Sequence, residues 1–139
     1  MIIPKKRNLK PEKQVEKEIL AWCNLNGFDM SVIDSKAAYS PRFGTYLKRN
    51  RMTSECMPDL VGNYNDVAVF IELKAPGRRK NLSLEQWMFL KRKIDVGCFA
   101  CVTDGAAHLT ELFKRVYRID RPFHVMDKNA LLSDLPNPK

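Results

Sequence analysis

The chain holds no apolar run approaching the ~20 residues of a membrane span, and no apolar segment follows its basic start, Met1–Arg7. Neither a membrane protein nor a secreted one is expected, and the home read from this is cytoplasmic, in a bacterium or in the host of a virus. There is no Gly-rich phosphate loop, no serine-hydrolase motif and no internal repeat, which leaves out phosphate-loop nucleotide binders, serine nucleophiles and solenoids. Histidine is scarce, at 2 residues. His108 reads as a surface or cap residue, and His124 has no partner in sequence to complete a nucleophilic or metal site. Cysteine is little more frequent, at 4. Cys23 and Cys56 are isolated. Cys98 and Cys101 have ligand-like spacing but lie in a strand-like stretch, where residues three apart face opposite ways. They read as small buried hydrophobes with reduced thiols rather than zinc ligands.

What the chain has in excess is positive charge. Lys and Arg number 24 against 16 Asp and Glu, a formal net charge of +8. That balance fits a polyanionic partner, nucleic acid first, and equally a well-solvated surface. The clusters narrow it: Arg42, Lys48, Arg49 and Arg51 precede Pro58-Asp59, while Arg78, Arg79 and Lys80 follow Glu72-Leu73-Lys74. Both sets are candidate nucleic-acid contacts. A length of 139 residues with 45% hydrophobic and 29% charged content suits one globular domain. It spans 1–139, with a core at about 11–118 and a C-terminal extension, 119–139, whose proline-bearing end from Leu135 reads as frayed.

Pro11 opens a helix in which Val15, Ile19, Leu20, Trp22 and Cys23 recur at helical spacing, and Gly27 ends it. Phe28 to Ser40 reads as an irregular strand. Pro41 to Thr53 reads as a basic loop in which Phe43, Tyr46 and Leu47 either anchor to the core or stack on bases. Val67–Lys74 is a β-branched strand entered from the turn formers Asn63, Asn65 and Asp66. After Ala75-Pro76-Gly77, Ser83 starts a helix with a capping box closed by Gln86, and Trp87, Leu90 and Ile94 form its inward stripe. Cys98–Val102 is a further strand, so that strand, helix and strand make a crossover. A last helix, about Ala106 to Tyr117, buries Leu109, Leu112, Phe113 and Val116. The fold class is α/β, a mixed central β-sheet flanked by α-helices.

Alternation along Val67–Lys74 puts Val67, Val69, Ile71 and Leu73 on one face and Ala68, Phe70, Glu72 and Lys74 on the other. If Asp59–Gly62 folds back antiparallel across the short loop, Asp59 comes opposite or diagonal to Glu72. Diagonal neighbours lie roughly 7–8 Å apart, within reach of one ion, whereas a one-residue slip sends Asp59 to the wrong face. Two carboxylates beside an ammonium group suit Mg²⁺ or Mn²⁺, which take oxygen ligands and keep waters. Such an ion polarises a scissile phosphate and acidifies a water that Lys74 orients or deprotonates. Glu-x-Lys alone describes many exposed strand ends; Pro58-Asp59 at hairpin distance sets this one apart.

Pro58-Asp59 followed by Glu72-Leu73-Lys74 resembles the signature of the PD-(D/E)xK nucleases, and the surroundings, about Glu12 to Asp104, are similar to their VRR-NUC branch, the virus-type replication and repair nucleases. The resemblance implies a restriction-endonuclease-like core and a site made of Glu12, Asp59, Glu72, Lys74 and Gln86, with Asp59, Glu72 and the backbone carbonyl of Leu73 as ligands of Mg²⁺ or Mn²⁺. From spacing alone Glu12 and Glu16 are equivalent, and both are also acids favoured near a helix start. For Gln86 the site role competes with the cap role, because the amide has to face the hairpin. The resemblance further implies a structure-selective deoxyribonuclease, like a four-way-junction resolvase, working as a homodimer on branched DNA in replication, recombination or repair. Cutting two symmetry-related strands calls for two sites. A restriction-type endonuclease, a DNA exonuclease and a non-enzymatic basic DNA-binding module are the alternatives. Trp22, Met88, Phe89 and Met126 read either as dimer surface or as core. The chain departs from the family at Ser54–Met57, where a glycine-containing turn is usual, and in a longer, more basic Ser40–Thr53.

Overall fold

Proline has no N–H to lose in a first helical turn, and Pro11 begins helix α1 (Pro11–Leu25), which buries Val15, Ile19, Trp22 and Cys23 as its spacing predicts. In the computed structural model the residues described are 11–33, 37–40, 45–48, 57–118 and 125–139, with the backbone alone at 37–40 and 45–48. Gly27, at φ 78°, turns the chain out of α1 into strand β1 (Phe28–Val32). Strand β2 (Ala37–Ser40) pairs antiparallel with β3 (Thr45–Lys48). Part of the stretch read as a basic loop is therefore a strand, in keeping with the β preference of Thr45 and Tyr46.

Strands β4 (Leu60–Tyr64) and β5 (Val67–Leu73) form the expected hairpin. Tyr64 pairs with Val67, so only Asn65 and Asp66 make the turn, and Asn65 takes the left-handed conformation, φ 53°, that such a turn needs. Helix α2 (Leu84–Asp95) then crosses to β6 (Phe99–Thr103), parallel to β5, and α3 (Ala106–Val116) and α4 (Lys128–Asp134) complete the described elements. The sheet order is β1-β4-β5-β6, antiparallel through β5 and parallel at β6, a mixed sheet with helices packed against it. This is an α/β fold. A Cβ added at Gly62 would lie 1.8 Å from the carbonyl oxygen of Asp29, so only glycine lets β1 approach β4 here.

The two faces of the sheet differ in cargo. Phe28, Tyr64 and Phe99 lie on one, ringed by Trp22 of α1, Phe113 of α3 and Tyr117. Phe70 and Glu72 lie on the other, where Phe89 of α2 meets Phe70 edge to face at 5.6 Å. Phe89, not Trp87, therefore joins Leu90 and Ile94 in the buried stripe of α2. Three of the four residues read as possible dimer surface belong to the core: Trp22 is 8% exposed and donates its indole N–H to Thr110 Oγ1, Phe89 is 7% exposed, and Met126 packs against the core. Met88 alone is exposed. The end of the chain from Leu135, expected to be frayed, is held in place. Asp127 caps α4, Leu131 and Leu135 are buried, and the Lys139 N–H bonds the Leu82 carbonyl at 3.1 Å.

Candidate active site

The hairpin register places Asp59 opposite Glu72, one step beyond the Leu60–Ile71 pair. Both ends of Asp59 are held: its carbonyl accepts the Ile33 N–H at 2.8 Å, and Oδ2 accepts the Leu73 N–H at 2.9 Å. Glu72 is 7% exposed, unusual for a carboxylate. Lys74, the first residue beyond β5, donates its N–H to the Thr103 carbonyl at 3.0 Å and its Nζ to Gln86 Oε1 at 3.2 Å. The Gln86 Nε2 in turn donates to Glu72 Oε1 at 3.3 Å.

Gln86 thus serves the cap and the site together. Its backbone N–H donates to Ser83 Oγ and its Oε1 accepts the Ser83 N–H, each at 3.1 Å, closing the capping box. The expected competition does not arise. A carboxamide oxygen has two lone pairs, so Oε1 accepts from Ser83 and Lys74 at once while the NH₂ remains for Glu72.

Burial, reinforced by repulsion from Asp59, raises the Glu72 carboxyl from 4.5 to about 9, with Lys74 pulling the other way and Glu12 adding a smaller push. Asp59 and Glu72 are close enough to share a hydrogen bond when one is protonated. Glu12 is the glutamate of α1 whose charge reaches Glu72, whereas Glu16 accepts from Lys13 at 3.2 Å.

Among the described residues no group of three or more His, Cys, Asp or Glu side chains is placed to hold an ion by itself. Mg²⁺ commonly takes one or two protein carboxylates and keeps several waters, and the chain offers such a set. The Leu73 N–H holds Asp59 Oδ2 and Gln86 Nε2 holds Glu72 Oε1, and a bound ion would take the place of the contact the two carboxyls make with each other. A half-buried and a buried carboxyl side by side, the buried one pushed up to about 9, are a donor set that a hard divalent cation fits. Cys98 and Cys101 are free thiols, and Cys101 is buried in β6.

The basic clusters part company. Arg42, Arg49 and Arg51 lie outside the described residues, as do Cys56 and His124, and Lys48 is described only as backbone in β3. Arg78 and Lys80 are exposed in the connection between Lys74 and α2. Arg79 is an anchor: its Nη2 lies 2.8 Å from Asp134 Oδ2 and its Nε donates to the Val102 carbonyl at 2.9 Å. If the chain binds DNA, neutralising Arg78 and Lys80 together is expected to weaken that binding and reduce the log–log salt slope by about 0.9 per lost phosphate contact. Arg79→Ala should instead lower the melting temperature and leave that slope alone.

His108 is no surface residue. Its ring lies between Thr103 Oγ1 at 2.9 Å and Asp134 at 3.0 Å. No local pattern announces this set, because Asp134 lies 26 residues from His108 and 55 from Arg79. Among the described residues, no helix is long and apolar enough to cross a membrane. No protein-family model matches this chain, and no curated protein matches it.

Proposed function

We propose that the protein is a Mg²⁺- or Mn²⁺-dependent nuclease that hydrolyses phosphodiester bonds in DNA. One observation carries this: Asp59 and Glu72 meet at the buried end of a hairpin, with Lys74 and Gln86 bonded in series to Glu72. When bound, the cation supplies Lewis-acid polarisation of the phosphate and a more acidic water. The chain's own groups do the positioning. Gln86 Nε2 holds Glu72 Oε1 and the Leu73 N–H holds Asp59 Oδ2, so each carboxylate keeps one oxygen aimed by the other's fixation. Lys74 Nζ has three donors and gives one to Gln86. The others meet a non-bridging phosphate oxygen and the attacking water, stabilising charge that grows in the transition state.

The resemblance to PD-(D/E)xK nucleases of the VRR-NUC type supports the same chemistry and extends the proposal to a cytoplasmic, dimeric enzyme acting on branched DNA, four-way junctions above all. The net charge of +8 supports a polyanionic substrate. The test is cleavage of labelled duplex, flap, single-stranded and four-way-junction DNA with Mg²⁺, with Mn²⁺ and with chelator. Cleavage that chelator stops and the ion restores is expected. Binding without cleavage under either ion would leave a basic DNA-binding module. A monomer by light scattering that cuts linear duplex as well as a junction would remove the junction proposal and leave the metal site standing.

A further inference from the structure

A second polar cluster joins the C-terminal helix to the strand beside the site. Asp134, the last residue of α4, has a side chain 6% exposed and receives Arg79 Nη2 at 2.8 Å, Arg115 Nη2 at 3.0 Å and His108 Nε2 at 3.0 Å. Two arms run from it to β6. Arg79 Nε donates to the Val102 carbonyl at 2.9 Å, and His108 Nδ1 lies 2.9 Å from Thr103 Oγ1. Val102 and Thr103 are the residues that pair with Glu72 and Leu73 in the parallel ladder, and the Thr103 carbonyl accepts the Lys74 N–H. Arg79 also sits in the connection between Lys74 and α2, where the Gly77 N–H is held by Asp104 Oδ2 at 2.8 Å and the Leu82 carbonyl by the Lys139 N–H.

Lys74 stands just past the end of β5, and its long side chain magnifies any tilt of its backbone. Its one ladder-like bond goes to Thr103, the residue that His108 grips. The guanidinium fork lets a single side chain hold a strand carbonyl through Nε and a carboxylate through Nη2, which an ammonium group does not reproduce. We infer that Asp134, acting through Arg79 and His108, is a positioning residue of the site, by which the C-terminal helix clamps the end of β6 that sets Lys74. This rests on the nuclease reading, and Asp134 itself touches no substrate.

The test compares Asp134→Asn, Arg79→Lys and Arg115→Ala. Asn keeps the size of Asp134 without its charge, Lys keeps the charge of Arg79 without its fork, and Arg115 shares Asp134 without bonding β6. In the first two, kcat on the DNA that the parent cuts should fall about tenfold or more at unchanged KM, since misplacement by about 1 Å costs on the order of 10²-fold. Arg115→Ala should keep the parental kcat. Deuterium exchange at the Lys74 amide, which needs no turnover, should quicken in the first two while β4 amides keep their protection. If Arg79→Lys does not fold, Asp134→Asn decides. A parent that cuts no nucleic acid overturns the nuclease reading. A parent that cuts, with kcat and Lys74 exchange unchanged in Asp134→Asn, overturns the clamp alone. So does a rise in KM at constant kcat, or exchange that quickens through the whole sheet.

Discussion

The Glu72→Gln and Asp59→Asn proteins are each expected to fold, to bind DNA at least as tightly as the parent, and to cut it at least about 1,000-fold more slowly, a loss of ~4 kcal/mol of transition-state stabilisation. Each change removes one proposed metal ligand and almost no volume. The remaining contacts survive it. A glutamine at 72 still accepts from Gln86 Nε2, and an asparagine at 59 still accepts the Leu73 N–H. Asp59→Asn removes a negative charge and so lessens repulsion of a phosphate backbone, whereas Glu72→Gln replaces a carboxyl that in the ion-free protein keeps its proton up to about 9, so binding measured by fluorescence anisotropy should tighten in the first and hold in the second while gel-resolved cleavage disappears. Parental turnover by either variant would remove the proposed metal site.

The second large effect is on stability. The unfolded chain releases the Glu72 proton near 4.5, whereas burial and then repulsion from Asp59 hold it in the folded protein until about 9. Between those values the folded state binds the extra proton, so the contribution of Glu72 is fully present below pH 4.5 and is lost as the pH rises through about 9. Without divalent ions, the loss from pH 5 to pH 8 should be on the order of a few kcal/mol. Asp134 runs the opposite way: its carboxyl is lowered from 3.8, where hydrogen bonds and charges from His108 and Arg79 outweigh burial, so its contribution is lost only in acid. The Cys23 thiol, raised by burial to about 11, acts above this window. Glu72→Gln, the neutral isostere of the protonated carboxyl, should melt higher than the parent at pH 8 and show a flatter profile from pH 5 to pH 9. Adding Mn²⁺ at pH 8 should raise the parent's melting temperature and leave that of Glu72→Gln nearly still. Parallel pH profiles for the two proteins would mean that Glu72 carries no such strain.

Glu72, Lys74 and Asp59 were legible in the sequence because their relation depends on two short-range rules. Alternation along one strand puts Glu72 and Lys74 on the same side, and a turn of Asn65 and Asp66 leaves the facing strand one register that brings in Asp59. The cap made by Ser83 and Gln86 spans three residues and is equally local. What the spacing did not decide was how one amide divides its lone pairs, since that depends on how closely α2 lies on the Glu72 face of the sheet.

Other features belong to the tertiary structure alone. Glu12 and Glu16 share a helix side, and the small push of Glu12 on the Glu72 carboxyl is nothing that their spacing announces. Trp22 is core because Thr110, 88 residues away, takes its indole N–H. Arg79 belongs by sequence to a basic run that looks made for phosphate, yet α4 returns along β6 and makes it the partner of a buried carboxylate. Periodicity and capping act over a turn of helix or a step of strand, so a sequence records them directly. Which distant side chains meet is set by how the elements pack on one another, and that depends on the shapes of whole faces rather than on any spacing along the chain.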